Sequence, residues 1–342
     1  MLNNIELRNF GPIHQLECHN LGQINLIIGG NGTGKTILLK SLYSAMRTVE
    51  AYQRGHEPRT AAEILADKLY WTFEAEKIGD LVSKGADLPL RFKFCLDDCQ
   101  FSYEFGKDTT RNISKLENHI PSRNSNSIYL PTKEVLSLHQ NILQSRDIYK
   151  TFGFDDTYLD LARALQQPRM RGRNYQEFAH SRAQLKDMLD GRVEYDQKSG
   201  RWQFKKGNQK FAIGVTAEGI KKIAILDTLL GNRYLDPQSI VFIDEPESAL
   251  HPIAISQFLD IIVMLAEAGI QFFLASHSYF VIKKLYLAAQ QRQNLSIVIL
   301  SADESSSGEQ WDIANLREGL PTNPIIDESI RLYREEVQLV LE

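Results

Sequence analysis

The chain has 342 residues, of which 43% are hydrophobic and 24% are charged, with a net charge of −4. This composition is typical of a globular protein with one large α/β domain or two small ones. The sequence has no run of about eighteen apolar residues and no basic-then-apolar leader, so it predicts neither a membrane span nor a secretion signal. Its three cysteines, Cys18, Cys95 and Cys99, argue against a disulfide framework or a zinc site, and we expect a cytoplasmic protein.

The first part of the chain alternates predicted strands with one helix. Apolar spacing predicts a helix over residues 36–47. Two segments with alternating apolar and polar residues flank Asp97 and Asp98, which predicts a β-hairpin. The predicted strands of this part are 5–12, 23–28, 90–95, 100–105 and 124–130.

The remainder of the chain divides into an irregular middle and a regular end. Residues 135–188 have a mostly helical pattern, followed by a second hairpin region at 202–213. Strands and helices then alternate. The predicted helices are 219–230, 252–268 and 280–291, and the predicted strands are 239–243, 270–275 and 296–300. Because the apolar runs in these strands suit a parallel sheet covered on both faces, 135–210 is interpreted as an insertion between two halves of one fold.

A glycine-rich loop between a predicted strand and a predicted helix fits the pattern G-x-x-x-x-G-K-[ST]. Its residues are Gly29, Gly30, Asn31, Gly32, Thr33, Gly34, Lys35 and Thr36. Glycines let backbone N–H groups surround phosphate oxygens, and the start of the helix adds its positive end. Lys35 would bind the β- and γ-phosphates, and Thr36 would ligate Mg²⁺. The pattern predicts an ATP site with Mg²⁺; the alternative is a glycine-rich turn without a ligand.

Two carboxylates follow the apolar strand predicted at 239–243. Asp244 would be delivered to the metal or to a water bound to it, and Glu245 would be the base that orients the attacking water. His277 follows the next predicted strand, where it would contact the γ-phosphate or that water. Without the phosphate loop, the acidic pair would be read as a solvated turn and the histidine as an ordinary turn residue.

The net charge conceals two regions of opposite charge. Between Arg163 and Lys210 there are twelve Lys or Arg residues against five Asp or Glu, whereas residues 303–342 contain three against ten. The basic region includes Arg169, Arg171 and Arg173 and would suit contact with a nucleic-acid backbone. The alternative is a pair of solvated surfaces of opposite sign.

In this order and spacing, the motifs resemble those of ABC ATPases of the SMC/RecF/OLD branch, rather than those of membrane transporters. The residues that carry the resemblance are the opening strand Ile5–Phe10, Gly29–Thr36 as Walker A, Asp244 and Glu245 as Walker B and catalytic glutamate, Ser248–His251 as D-loop, and His277 as switch histidine. The resemblance covers about 1–50 and 210–300 and little of 135–210. It implies an α/β ABC-type P-loop nucleotide-binding fold with an N-terminal antiparallel β-subdomain and a helical insertion.

Residues 216–222 lie where this family has its signature motif, just before a helix and the Walker B strand. In the family, a serine followed by glycines contacts the γ-phosphate bound to the opposite subunit. Here Ala217 stands at the serine position, Gly219 is kept and Thr216 would have to supply the hydroxyl, so the resemblance implies a weaker contact between subunits. A helix start capped by Thr216, with Glu218 in its first turn, is equally compatible with the pattern.

The Q-loop glutamine of the family has no obvious counterpart. The run Pro131–Glu134 occupies the place after a strand where that loop belongs. It resembles a stretch in stand-alone ATPases of bacterial defence systems of the retron and Septu type. Lys133 or Glu134 would then sense the metal or the γ-phosphate; the alternative is a plain strand-to-helix turn.

The resemblance also implies a domain order and a function. Residues 1–134 would form an ATPase lobe with Walker A and the β-subdomain, 135–210 the helical insertion, and 211–342 a lobe with signature, Walker B and switch histidine. An ATPase of this type would work as a head-to-tail homodimer or a higher oligomer, as a nucleotide-driven switch in a prokaryotic anti-phage or toxin-type complex. A separately encoded effector such as a nuclease or toxin is expected, and a membrane partner is not. The alternatives are a RecF-like DNA-repair ATPase that binds DNA directly and an ATP-gated scaffold with little turnover.

Overall fold

A computed structural model describes residues 1–168, 174–302 and 311–341. The strands are β1 Leu2–Phe10, β2 Ile13–Cys18, β3 Ile24–Ile28, β4 Leu90–Leu96, β5 Cys99–Phe105, β6 Lys115–Asn118, β7 Ser127–Leu130, β8 Arg192–Asp196, β9 Arg201–Lys206, β10 Gln209–Ala212, β11 Ile240–Asp244, β12 Gln271–Ala275, β13 Ile297–Ala302 and β14 Trp311–Asn315. The helices are α1 Lys35–Ala51, α2 Ala61–Phe73, α3 His139–Asp147, α4 Asp156–Gln166, α5 Ala179–Leu189, α6 Glu218–Gly231, α7 Pro252–Glu267, α8 Tyr279–Gln291 and α9 Pro324–Leu341. Within these described ranges, no helix combines the length and apolar character needed to cross a membrane.

The central sheet has six strands in the order β14-β13-β3-β12-β11-β7. β13, β3, β12, β11 and β7 are parallel, and β14 pairs antiparallel with β13. The five parallel strands are buried along their whole length, as the continuous apolar runs in the sequence predict. Because these strands run in the same direction, the segments that follow β3, β7, β11 and β12 meet at one edge of the sheet, where open α/β sheets bind ligands.

A second sheet forms the N-terminal β-subdomain and confirms the antiparallel character expected of it. Its five strands are antiparallel in the order β2-β1-β4-β5-β6. The inward residues of β4 and β5 include Phe92 and Tyr103, whose rings stack with centroids 5.0 Å apart. These rings share one hydrophobic core with Leu42 of α1 and Phe242 of β11. The helix that follows the glycine-rich loop therefore packs against both sheets.

In the part of 135–210 that the structure describes, three α-helices occur together with strands, which differs from the mostly helical prediction. β8, β9 and β10 form a three-stranded antiparallel sheet where the sequence predicted only a hairpin. β8 was missed because its five residues are mostly charged and follow a helix without a clear change of period. Leu161, Leu185 and Trp202 of this region join the core that contains Leu226 of α6 and Phe258 of α7. The domain boundaries at 134 and 210 stay a prediction.

Ion pairs tie this region to α1. The Lys40 ammonium of α1 lies 2.7 Å from a carboxylate oxygen of Asp155, which caps α4. The Lys68 ammonium of α2 lies 2.9 Å from Asp156 and 2.8 Å from Asp160. Burial raises the pKa of Asp160, but the charges of Lys68 and Arg47 and the hydrogen bonds from Lys68 and Tyr43 together outweigh it and hold that pKa below its usual range. The helix that follows the phosphate loop and α2 are thus both joined to the start of α4 by ion pairs.

Two helices were not predicted. α2 begins with a capping box, in which Thr60 accepts the N–H of Glu63 and the Glu63 carboxylate accepts the N–H of Thr60. α9 extends over 18 residues in the acidic C-terminal stretch, where the sequence analysis considered only charge.

Candidate nucleotide-binding site

The loop between β3 and α1 requires its glycines. The φ angle is 149° at Gly29, 83° at Gly32 and 94° at Gly34, a region that other residues rarely adopt. A Cβ on Gly29 would lie 2.9 Å from the Thr33 hydroxyl, and one on Gly34 would lie 2.8 Å from a side-chain carbon of Ile13. The loop is therefore tightly curled against its surroundings, as a phosphate-binding backbone requires.

The start of α1 is suited to an anion. Gly34 is the N-cap residue, and among the described residues no side chain caps this helix end, so its first N–H groups can bind phosphate oxygens. The Lys35 ammonium donates to the carbonyl oxygens of Gly29, at 2.8 Å, and Gly30. Asn31 lies at the exposed tip of the loop. The ammonium thus lies over the same loop whose amides would contact the phosphates.

The two predicted metal ligands lie next to each other. The Thr36 hydroxyl donates to a carboxylate oxygen of Asp244 at 3.1 Å, and the Tyr129 hydroxyl donates to the same oxygen at 3.2 Å. Asp244 is 9% exposed, and this burial raises the pKa of its carboxyl group, whereas the hydrogen bonds from Thr36 and Tyr129 lower it. A hydroxyl and a carboxylate are hard oxygen donors, and Mg²⁺ is commonly held by one or two such groups together with substrate phosphates. The residues therefore fit Mg²⁺ bound with a nucleotide.

The two predicted catalytic side chains also come together. Glu245 follows β11 directly, and its N–H donates to the carbonyl of Ala275 at the end of β12, at 2.9 Å. His277 Nδ1 lies 3.4 Å from a carboxylate oxygen of Glu245. The two side chains are 36% and 53% exposed, so both are open to a ligand and to water. Glu245 has a φ of 50°, a backbone conformation that costs about 1–3 kcal/mol for a residue other than glycine.

Polar residues that the sequence did not single out surround these groups. Glu247 accepts the Ser276 hydroxyl at 2.8 Å, which links the turns after β11 and β12. Lys222 of α6 donates to the backbone carbonyl of Glu245 and is 8% exposed. Burial lowers the pKa of Lys222 to about 8, and the nearby carboxylate of Glu247 partly opposes this. Only the acidic character of the segment after Asp244 signalled Glu247. Lys222 ends the segment 216–222 that resembles the signature motif but had no role of its own there, and nothing in the sequence signalled Tyr129.

The predicted signature segment lies at the start of α6. The N-cap residue is Ala217, and no side chain in the described part of the chain caps this helix, so the predicted cap by Thr216 is wrong. The Thr216 hydroxyl instead donates to a backbone carbonyl upstream. A Cβ on Gly219 would lie 3.0 Å from the carbonyl of Ala249 and 2.8 Å from the side chain of Leu250. Gly219 is therefore needed for close packing of α6 on the segment that resembles a D-loop.

Residues 131–134 form the link between β7 and α3. The Glu134 carboxylate accepts the N–H of Ser137 at 2.7 Å and lies 3.5 Å from the Lys221 ammonium of α6. These contacts match the interpretation as a strand-to-helix turn. A role for Lys133 or Glu134 in sensing the metal or the γ-phosphate stays a prediction.

Comparison with known proteins identifies a family and a fold. Residues 83–283 match the family described as "AAA domain, putative AbiEii toxin, Type IV TA system". The match includes Asp244, Glu245 and His277, while the phosphate loop lies before it. A protein of Methanocaldococcus jannaschii described as uncharacterised is 31% identical over 101 residues, which are 29% of this chain and 43% of that protein. The chain thus spans less than half the length of this relative.

Solved structures of SMC heads are similar to the chain over almost its whole length. One is an SMC head bound to the C-winged helix domain of ScpA, with 12% identity and a TM-score of 0.55 over 93% of this chain and 98% of that chain. Another is an Smc head domain with an extended coiled coil bound to the C-terminal domain of ScpA derived from Pyrococcus furiosus, with 10% identity, a TM-score of 0.50 and 98% of each chain covered. At these identities the likeness shows the fold, and it confirms the expected ABC-type nucleotide-binding fold.

Proposed function

Because the chain belongs to the AAA-domain family described as putative AbiEii toxin, Type IV TA system, and has the ABC-type ATPase fold of the SMC/RecF/OLD branch, we propose that it binds and hydrolyses ATP with Mg²⁺. One observation carries the proposal. The loop Gly29–Thr36, Asp244, Glu245 and His277 all lie at the carboxyl ends of adjacent parallel strands. This is the edge at which an open α/β sheet binds its ligand.

Each residue has a definite task in this proposal. The loop amides and Lys35 bind the β- and γ-phosphates, and the hydroxyl of Thr36 and the carboxylate of Asp244 hold Mg²⁺. When bound, Mg²⁺ neutralises charge on the phosphate oxygens. Glu245 orients a water and accepts its proton, and His277, 3.4 Å from Glu245, contacts the γ-phosphate or that water.

A turnover measurement tests the proposal. Phosphate release by the purified chain should require both ATP and Mg²⁺ and should stop when EDTA removes the metal. If ATP binds but no phosphate is released, the ATP-gated scaffold is favoured instead. Ala217 supports this alternative. It lacks the hydroxyl that a serine at this position would offer to the nucleotide bound by the other subunit.

We further propose a head-to-tail homodimer with ATP between the phosphate loop of one subunit and residues 216–219 of the other. Three large apolar side chains next to nucleotide-facing segments support this arrangement. Val215 precedes the signature segment, Ile253 begins α7 after the D-loop segment, and Phe280 follows His277; they are 78%, 65% and 57% exposed. Exposed apolar groups of this kind are typical of a surface that a protein partner covers.

A charge introduced at this surface should prevent the dimer. Val215→Glu, made together with Glu245→Gln to retain ATP, should weaken ATP-dependent dimerisation about tenfold or more, because burying an unpaired carboxylate costs several kcal/mol. Sedimentation velocity with and without ATP measures the effect. Leu88→Glu is the matched control, since Leu88 is 72% exposed but lies in the β-subdomain. Equal dimerisation of the two variants would place the interface elsewhere.

The biological role we propose is a nucleotide-driven switch in a prokaryotic anti-phage or toxin-type complex, with the effector on a separate polypeptide. The family description, which names a toxin and a toxin–antitoxin system, supports this role. The SMC heads of the same fold were solved with a bound ScpA domain, which gives a precedent for a partner docked on this fold. The basic region around 163–210 supports the second candidate, a RecF-like ATPase that binds DNA directly.

A charge-reversal variant of this basic region separates the two roles. Arg169, Arg171 and Arg173 lie outside the residues that the structure describes. Changing all three to Glu should leave basal ATP hydrolysis intact and weaken binding of labelled duplex DNA, with a dependence on salt if phosphates are contacted. Fluorescence anisotropy at several salt concentrations measures this binding, with the double variant Lys84→Glu and Lys107→Glu in the β-subdomain as a control for charge reversal at another exposed surface. Lost hydrolysis with retained binding would assign the region to the catalytic machinery and contradict the proposed contact with DNA.

A further inference from the structure

The first turn of α6 carries two consecutive buried lysines. Lys221 is 2% exposed and Lys222 is 8% exposed, although lysine is almost never fully buried unless it is paired. The Lys221 ammonium lies 2.8 Å from Glu218 and donates to the Ser137 hydroxyl at 3.1 Å, so it faces the segment after β7. Lys222 faces the segment after β11 instead, where its ammonium donates to the backbone carbonyl of Glu245.

The peptide of Glu245 is therefore held from two sides. Its N–H donates to the carbonyl of Ala275 at 2.9 Å, and its carbonyl accepts the ammonium of Lys222. Glu245 has a φ of 50°. A residue other than glycine keeps this conformation only when its surroundings enforce it. The hydrogen bond from Lys222 is one of the contacts that hold the Glu245 backbone in this conformation.

The same face of α6 contacts the whole turn after β11. Gly219 and Lys222 are three residues apart, so they lie on one face of the helix. Gly219 packs closely on Ala249 and Leu250, while Lys222 reaches Glu245. The start of α6, which carries the signature segment, and the peptide of the proposed base are thus joined by a single helical turn.

We propose that Lys222 is a positioning residue for hydrolysis, which holds the Glu245 peptide on the first turn of α6 so that the carboxylate faces the nucleotide. The inference rests on the proposed function, because it requires Glu245 to be the base. Lys222 would also couple the signature segment to Glu245 of the same subunit. Any shift of the start of α6 moves Lys222 and, with it, the Glu245 carbonyl to which it is bound.

A double-mutant cycle tests this role. Lys222→Met keeps most of the side-chain volume and removes the donor, and we expect kcat to fall about 10- to 100-fold, the effect of a small misplacement of a reacting group. The affinity for Mg·ATP should change less than about twofold, since the phosphate loop is untouched. In a Glu245→Gln background, single-turnover experiments should show almost no further loss from Lys222→Met, because the group that Lys222 positions is no longer a base.

Lys221→Met is the matched control, because Lys221 is the adjacent buried lysine but contacts Glu134, Ser137 and Glu218. Lys221→Met should change the single-turnover rate by the same factor in the wild-type and the Glu245→Gln background. Lys222→Arg retains a donor and should restore most of the turnover lost in Lys222→Met. Thermal unfolding is followed for every variant, and if the methionine variant does not fold, Lys222→Leu, which also lacks a donor, replaces it in the same cycle.

The outcomes distinguish this inference from the proposed function. Full activity of Lys222→Met, or an equal loss in both backgrounds, would contradict the positioning role and leave the ATPase assignment standing. If the unmodified protein binds ATP and does not hydrolyse it, the proposed function fails and the role of Lys222 fails with it.

Discussion

Lys35→Ala should lower the affinity for Mg·ATP by about 100-fold or more. The ammonium lies over the loop and donates to the carbonyls of Gly29 and Gly30, a position from which it can turn to phosphate oxygens. A hydrogen bond between charged groups contributes about 1.5–3 kcal/mol, and Lys35 would make more than one of them to the β- and γ-phosphates. Calorimetric titration with Mg·ATP measures the loss.

The control for this variant is Lys84→Ala, which removes the same charge from an exposed position in the β-subdomain. Thermal unfolding of both variants checks that the fold is retained. Because Lys35 lies at the surface of the loop and in no core, we expect similar unfolding temperatures for the two. An unchanged affinity of Lys35→Ala would show that the loop is not the nucleotide site.

Local signals made several parts of the molecule predictable. The helix predicted at 252–268 is Pro252–Glu267, because a proline in the first turn and a capping residue before it mark the start of a helix. The hairpin predicted at 90–95 and 100–105 is β4 and β5, since alternating aromatic residues need one buried face. In each case the residues that specify the element lie within the element or next to it.

The features that could not be predicted depend on contacts between distant parts of the chain. No local pattern predicted the burial of Lys221 and Lys222, because it depends on contacts with Ser137 and Glu245 from other segments. The Thr36–Asp244 contact joins residues 208 apart, and the sequence predicted it only through the Mg²⁺ that the two motifs assign to both residues. The alternative of a cap by Thr216 is wrong, since Ala217 is the N-cap residue of α6, and Gly219 packs closely on Ala249 in its first turn. The roles of these residues in ATP binding and hydrolysis stay predictions.

Glu245→Gln should lower the rate of ATP hydrolysis by about 10²–10⁴, the usual contribution of a general base. The amide keeps the shape of the side chain and its place beside His277, 3.4 Å from the carboxylate, but it cannot accept a proton from water. The phosphate loop and the Thr36–Asp244 pair are untouched, so Mg·ATP should still bind. Because bound ATP is not consumed, the variant should accumulate as an ATP-bound dimer, which sedimentation velocity detects.

Glu247→Gln is the matched control for this variant. Glu247 lies two residues further on, and its carboxylate accepts the Ser276 hydroxyl at 2.8 Å, a hydrogen bond that the amide oxygen of Gln can also accept. This carboxylate only accepts a hydrogen bond between two turns. We therefore expect Glu247→Gln to lower turnover less than about tenfold, which corresponds to the free energy of one weakened hydrogen bond. A Glu245→Gln variant that hydrolyses ATP at the normal rate would show that another group activates the water, and a larger loss in Glu247→Gln would point to Glu247 as that group.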